Sequence, residues 1–75
     1  MIAYLVCRVV DLGYSVEYAF FNRENAYNKL EQLNTDAYNE YVKVLIRDCK
    51  YTEEGAKEYA KLTIFYELDS VEVEE

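Results

Sequence analysis

The first 22 residues constrain the fold most, because two dense runs of strand-forming residues flank a short glycine-containing loop. The runs are residues 2–10 (IAYLVCRVV) and 14–22 (YSVEYAFFN), and Asp11, Leu12 and Gly13 separate them. This spacing predicts an antiparallel hairpin, since a glycine in the loop adopts the positive φ that closes a tight connection. The chain therefore begins with two paired strands.

The two predicted strands differ in their apolar pattern. Tyr14, Val16, Tyr18 and Phe20 alternate along the second strand, which predicts that these four side chains share one inward face. The first strand carries apolar side chains on both faces, interrupted only by Arg8. A strand of this kind is expected to be covered on both sides.

Helical periodicity follows the hairpin in three segments, at residues 23–34, 36–50 and 53–62. Each segment has a favourable N-cap residue: Asn22 before the first, Asp36 at the first position of the second, and Thr52 before the third. Asn34 is suited to end the first helix in the left-handed conformation. The sequence leaves an alternative for residues 38–50, because the run YVKVLI also has a high strand propensity.

A last strand is predicted at residues 63–73 (TIFYELDSVEV). The order of elements is then ββαααβ, which predicts one α+β domain over residues 1–75 with two layers. A three-stranded antiparallel sheet would carry all three helices on one face. Its other face would remain uncovered, so we expect a second copy of the chain or a target protein to cover it.

The charge balance limits the possible partners. Fifteen Asp and Glu against eight Lys and Arg give a net charge of −7. Such a chain repels phosphate backbones and anionic lipids, so we expect no direct nucleic-acid or membrane binding and an attraction to basic protein surfaces.

No run reaches the roughly 18 to 20 apolar residues that span a bilayer, which favours a cytoplasmic location in the host cell.

Enzymatic chemistry lacks its usual residues in this sequence. There is no histidine, the commonest general acid or base near neutral pH, and no glycine-rich phosphate loop. Cys7 and Cys49 have neither metal-ligand spacing nor an activating histidine, so we expect buried apolar thiols or, alternatively, a bridge between them. We predict no catalytic residues, no metal and no cofactor.

Acidic residues supply the first candidate binding surface. Carboxylates two positions apart on a strand lie about 6.6 Å apart on one face, a spacing similar to that of neighbouring phosphates. A nucleic-acid mimic could use such pairs, and solvated faces that only keep the protein in solution are the alternative. The candidates on the last strand are Glu67, Asp69, Glu72 and Glu74, and those on the third helix are Glu53, Glu54 and Glu58.

Aromatic residues supply the second candidate surface, because tyrosine combines a rigid apolar ring with a polar tip. Six of the nine tyrosines fall on predicted inward stripes: Tyr14, Tyr18, Tyr27, Tyr38, Tyr41 and Tyr59. Tyr4, Tyr51 and Tyr66 do not, and together with Phe65 they are the predicted contact residues on the uncovered sheet face or its rim.

Two segments, YSVEYAFFNRENAYNKLEQLN and YELDSVEVEE, resemble small uncharacterised proteins encoded by bacteriophages. In those proteins a hairpin ends in a Phe-rich strand, a helix follows, and the last strand alternates Val and Glu. The resemblance implies a phage or mobile-element origin, where many short acidic proteins inhibit host defences, as anti-CRISPR and anti-restriction proteins do. It assigns no functional residue.

The expected function is therefore inhibition of a host defence or nucleic-acid-processing protein through an acidic, tyrosine-rich surface. The alternative is a homodimeric structural or accessory phage protein with no inhibitory role.

Overall fold

The structure, a computed structural model, describes residues 1–74 of the chain. Three strands form one antiparallel sheet in the order β2-β1-β3, with β1 at Ile2–Val10, β2 at Gly13–Phe20 and β3 at Tyr66–Glu72. Two helices lie between β2 and β3, α1 at Arg23–Asp48 and α2 at Glu53–Lys61. The predicted α+β class and three-stranded antiparallel sheet are confirmed.

Helix α1 is continuous where the sequence predicts two helices. It runs for 26 residues through Asn34 and Asp36, which excludes both the predicted break and a strand at residues 38–50. Its start is as predicted, since the Asn22 side chain accepts a hydrogen bond from the Asn25 N–H at 3.1 Å. Asn34 does not end the helix, because its side chain binds the main chain of Tyr66 instead.

A β-bulge in β2 changes which side chains share a face. The register passes from Val6 opposite Tyr18 to Cys7 opposite Val16, so that Glu17 is an extra residue. Residues directly opposite in an antiparallel pair lie on the same face. Tyr18 therefore lies on one face and Val16 on the other. The prediction that Tyr14, Val16, Tyr18 and Phe20 share one face is wrong, because one inserted residue inverts the alternation.

Helix α1 covers one face of the sheet. Its Lys29 ammonium lies 4.5 Å from the centre of the Tyr18 ring, and Val6 and Ala26 are both fully buried. Helix α2 contacts α1 but none of the described strand residues. The face turned away from α1, here named the open face, consists of Ala3, Leu5, Cys7 and Val9 from β1, Tyr14, Val16 and Ala19 from β2, and Glu67, Asp69 and Val71 from β3.

The second half of α1 and all of α2 extend beyond the sheet as a helical arm, residues 36–62. Thr52 caps α2 as predicted, because its hydroxyl accepts a hydrogen bond from the Gly55 N–H at 3.1 Å. The arm has a small core of its own, in which Tyr38 and Tyr41 pack against Val42, Leu45, Ala56 and Ala60.

The molecule is elongated, with extents of 52 × 26 × 15 Å. Its radius of gyration of 14.9 Å exceeds the value of about 11 Å for a compact domain of this length. It exposes 5855 Å², where a compact monomer of 8.9 kDa exposes about 4,800 Å². Within residues 1–74, neither helix combines the length and apolar character needed to cross a bilayer.

Candidate functional site

A groove in the open face is the best-formed candidate site. It has a volume of about 330 Å³ and runs across all three strands. Leu5 and Cys7 of β1 form the floor, with Val16 of β2 beside them. Tyr14 of β2 and the carboxylates of Glu67 and Asp69 of β3 complete the walls. The groove therefore combines an apolar floor with two negative charges along one side.

The apolar part of the open face is accessible to a partner. Tyr14 is 66% exposed, Val16 57% and Val71 46%. Ala3 and Cys7 lie on the same face, on the central strand, and are buried. A continuous apolar strip thus faces solvent on a sheet that is only three strands wide.

The two carboxylates of the groove have no basic partner. Glu67 lies opposite Cys7, and Asp69 lies opposite Leu5. The ion pairs found among residues 1–74 are Arg47 with Asp48 and Lys57 with Glu53, both on the helical arm. Glu67 and Asp69 are therefore available for an external cation.

The carboxylates of the groove raise the pKa values of two neighbouring groups, Tyr14 and Cys7. The pKa of Tyr14 is raised, first by hydrogen bonding of its hydroxyl to the Glu67 carboxylate and then by the charge of that group. Burial raises the pKa of the Cys7 thiol, and the charges of Asp69 and Glu67 raise it further. Cys7 is therefore held as a neutral thiol, which is a poor nucleophile.

The two cysteines differ in environment. Cys7 is buried as predicted, whereas Cys49 is exposed at the end of α1, so the prediction of a buried thiol is wrong for Cys49. Both thiols are free, and the alternative of a bridge between them is not realised. Cys49 is the C-cap residue of α1.

The predicted aromatic contact residues are split between two regions. Tyr4 and Tyr66 are half-buried and lie on the face covered by α1, opposite Phe20 and Arg8 respectively, so their predicted place on the open face is wrong. Strand register determines this placement. In β1 and β3 the even-numbered residues face α1 and the odd-numbered residues face away from it, and Tyr4 and Tyr66 are even-numbered.

Tyr51 and Phe65 are the two ends of a row of four rings along the arm. Tyr51 contacts Tyr59 at 5.8 Å between ring centres, Tyr59 contacts Tyr41 at 6.1 Å, and Tyr41 contacts Phe65 at 5.5 Å. The row joins α2 to α1 and to the segment before β3. Tyr41 also packs against the core of the arm, whereas Tyr51 and Tyr59 are partly exposed to solvent.

Four tyrosines predicted to point inward are largely exposed: Tyr14, Tyr18, Tyr27 and Tyr59. The prediction is wrong for these four, because Tyr14 lies on the open face, Tyr59 lies on the arm, and Tyr18 and Tyr27 are only partly covered where α1 packs on the sheet. Tyr27 illustrates the alternative, since its hydroxyl accepts a hydrogen bond from the Arg23 guanidinium at 3.2 Å at the surface. Tyr38 and Tyr41 do pack inward.

The predicted acidic residues do not form one continuous surface. Glu67 and Asp69 lie together on the open face, whereas Glu72 lies opposite Ile2 on the other face and Glu74 follows the end of β3. The remaining acidic candidates belong to α2, on the arm: Glu53, Glu54 and Glu58. Only the pair Glu67 and Asp69 adjoins an apolar groove.

The groove also contains residues that were not among the sequence candidates: Leu5, Cys7, Tyr14 and Val16. The apolar row along the first strand was the available signal for Leu5 and Cys7. The alternating pattern of β2 predicts that Tyr14 and Val16 point inward with Tyr18, because a bulge leaves no clear mark in a single sequence.

No protein-family model, curated protein or solved structure matches this chain.

Proposed function

We propose that this chain is a small phage-encoded inhibitor, not an enzyme, that binds a host protein through the open face of its sheet. The observation that carries the proposal is the apolar groove beside Glu67 and Asp69, two carboxylates without a basic partner. The partner would present an apolar surface with a basic group at its edge. The phage origin and the inhibitory role rest on the sequence resemblance.

The apolar strip supports the affinity of such a complex. Complete burial of a side chain such as Val16 contributes roughly 1.5 to 3 kcal/mol, and a tyrosine such as Tyr14 is typical of the residues that dominate binding energy. The chain exposes about 1,000 Å² more than a compact monomer of its mass. A standard interface removes about 800 Å² from each partner, and the surplus, to which the extended arm also contributes, exceeds that area.

The negative charge supports steering and specificity. A net charge of −7 attracts a basic surface from a distance, and Glu67 with Asp69 then selects the orientation. Glu67 and Asp69 lie about 6.6 Å apart along one face, so these two carboxylates alone are the proposed mimic of neighbouring phosphates. The preferred partners are host proteins whose basic site normally holds a nucleic acid.

Two double variants with equal charge test this surface. Glu67→Gln with Asp69→Asn neutralises the groove, whereas Glu54→Gln with Glu58→Gln removes the same charge from the arm. Proteins captured from host lysate by the wild-type chain would be purified and their affinities measured from about 50 to about 300 mM salt. We expect the groove variant to bind a basic partner at least about tenfold more weakly and the arm variant to bind normally.

Equal losses in the two variants would show that only net charge matters and would remove the groove from the proposal. Val16→Ser provides an uncharged test of the same face, with Val10→Ser on the opposite face of the sheet as its control. The inhibitory role has its own assay: host cells that express the chain should lose restriction of a sensitive phage, and cells that express the groove variant should keep it.

The homodimeric accessory protein remains the second candidate, because the same exposed surplus could be covered by another copy. A dimer through the open face would bring the Glu67 and Asp69 of both copies into one interface. Neutralising them would then strengthen self-association, whereas it would weaken binding to a basic host protein. Sedimentation equilibrium of the groove variant distinguishes the two.

A further inference from the structure

The groove of the open face is shaped for one long basic side chain. Its floor is apolar, its carboxylates lie on one wall, and Tyr14 of β2 lies on the other side with its hydroxyl directed toward Glu67. Lys and Arg side chains pair an aliphatic stem with a charged head, so each can lie on apolar surface while the head meets a carboxylate. The arrangement of floor and wall in this groove matches that division.

We propose that the groove seats a single arginine side chain of the partner, its stem over Leu5 and Val16 and its guanidinium between Glu67 and Asp69. This inference rests on the proposed function and identifies the group that the open face recognises. Arginine fits better than lysine for two reasons. Its planar fork donates several hydrogen bonds in fixed directions to carboxylates, and its weaker hydration lowers the cost of entering a partly apolar groove.

Tyr14 adds a second contact for the same group. Its ring is 66% exposed at the rim, where a guanidinium can stack on it. The pKa of Tyr14 is raised first by hydrogen bonding of its hydroxyl to Glu67 and then by the charge, and so the field, of that carboxylate. A guanidinium bound between the carboxylates would compensate that field and lower the pKa of Tyr14 toward its ordinary value.

None of the eight Lys and Arg residues of this protein belongs to the open face. The eight basic residues are concentrated on the arm, which holds Lys43, Arg47, Lys50, Lys57 and Lys61, while Arg8, Arg23 and Lys29 belong to the rest of the chain. Arg8 lies on the face covered by α1, and Lys29 lies over Tyr18 on that same face. The open face carries acidic side chains alone among its charged residues.

The test is an NMR titration of the isotope-labelled chain with the amide of Nα-acetyl-arginine, and separately with the matching lysine amide. We expect shifts confined to residues of the groove, and an affinity for the arginine compound at least about threefold higher than for the lysine compound. Both should bind about tenfold more weakly to Glu67→Gln with Asp69→Asn, and normally to Glu54→Gln with Glu58→Gln. Carbon-13 labelled tyrosine should report a lowered Tyr14 pKa in the arginine complex.

Shifts spread over the whole surface, or unchanged in the groove variant, would overturn the proposal, as would equal affinity for both compounds. Dispersed spectra of both variants verify that they fold. If the arginine compound fails to bind while the host protein still depends on Glu67 and Asp69, the arginine seat is wrong and the proposed function stands. If it binds as expected while no basic host protein is found, the seat stands and the proposed function fails.

Discussion

The side-chain amide of Asn34 pairs with the main chain of Tyr66 through two hydrogen bonds. The Tyr66 N–H donates to Asn34 Oδ1 at 3.0 Å, and Asn34 Nδ2 donates to the Tyr66 carbonyl at 3.3 Å. Both groups point away from β1, so the amide of a helical residue occupies the outer edge of β3 where another strand could pair. This contact joins the middle of α1 to the first residue of the last strand.

Replacing Asn34 with Ala should lower the free energy of unfolding by about 1 to 3 kcal/mol, because two part-buried main-chain groups lose their partner. Asn28→Ala on the exposed side of the same helix is the control, and it should change stability little. Urea denaturation measures both. Equal stability of Asn34→Ala and wild type would mean that water replaces the amide without loss.

Deletion of Glu17 should leave the fold intact. Without this extra residue the pairs Val6 with Tyr18 and Cys7 with Val16 become neighbours in a regular ladder, and every side chain of β2 keeps its face. Thermal unfolding should stay close to wild type. Deletion of Ser15 is the contrasting change, since it moves Tyr14 to the face covered by α1 and removes it from the groove.

We expect the Ser15 deletion variant to lose partner binding while its NMR spectrum stays dispersed, as for a folded protein. A Glu17 deletion that unfolds the protein would show that the bulge itself is required for the twist of β2.

The two thiols should differ strongly in reactivity. Burial and the charges of Asp69 and Glu67 raise the pKa of Cys7, so at any pH below that pKa a smaller fraction is thiolate than in an ordinary thiol. At a pH of about 8, Ellman's reagent should label Cys49 quickly and Cys7 slowly. Cys49→Ser isolates the Cys7 reaction.

The same Cys49→Ser protein, with Glu67→Gln and Asp69→Asn added, should react faster at Cys7, because two charges that disfavour the thiolate are gone. An unchanged rate would mean that burial alone protects Cys7.

Gly13→Ala should destabilise the hairpin by about 1 to 2 kcal/mol although there is room for the new methyl group. Gly13 has a φ of +139°, a conformation that side chains rarely adopt, and an added Cβ would meet no atom within 4 Å. The cost is therefore backbone strain and not collision. Ser15→Ala in the same strand is the control, and chemical denaturation should separate the two.

Local signals in the sequence were sufficient for the starts of α1 and α2 and for the hairpin, although the start that they predicted at Asp36 is wrong. Asn22 and Thr52 cap helices as predicted, because capping depends only on residues within one turn. Gly13 closes the loop between β1 and β2, because its freedom in φ is intrinsic. The three-stranded antiparallel sheet followed from these elements and their order.

Asn34 and Glu17 show what the sequence could not decide. Asn34 has the properties of a helix-ending residue. It remains inside α1, where its side-chain amide forms two hydrogen bonds with the main chain of Tyr66, 32 positions away. Glu17 fits a regular strand, but it forms a bulge because the residues before and after it pair with β1 in registers that differ by one position. Both outcomes depend on contacts between distant segments, which no local pattern encodes.

The sequence by itself therefore determined the kinds of elements, their order and the presence of apolar residues on both faces of β1. Only the tertiary structure decided that one helix covers one face, that Tyr14 and Val16 turn to the other, and that Glu67 and Asp69 lie beside them while the remaining acidic candidates do not. The physical reason is that local propensity acts within a few residues, whereas strand register and helix packing decide which distant side chains meet.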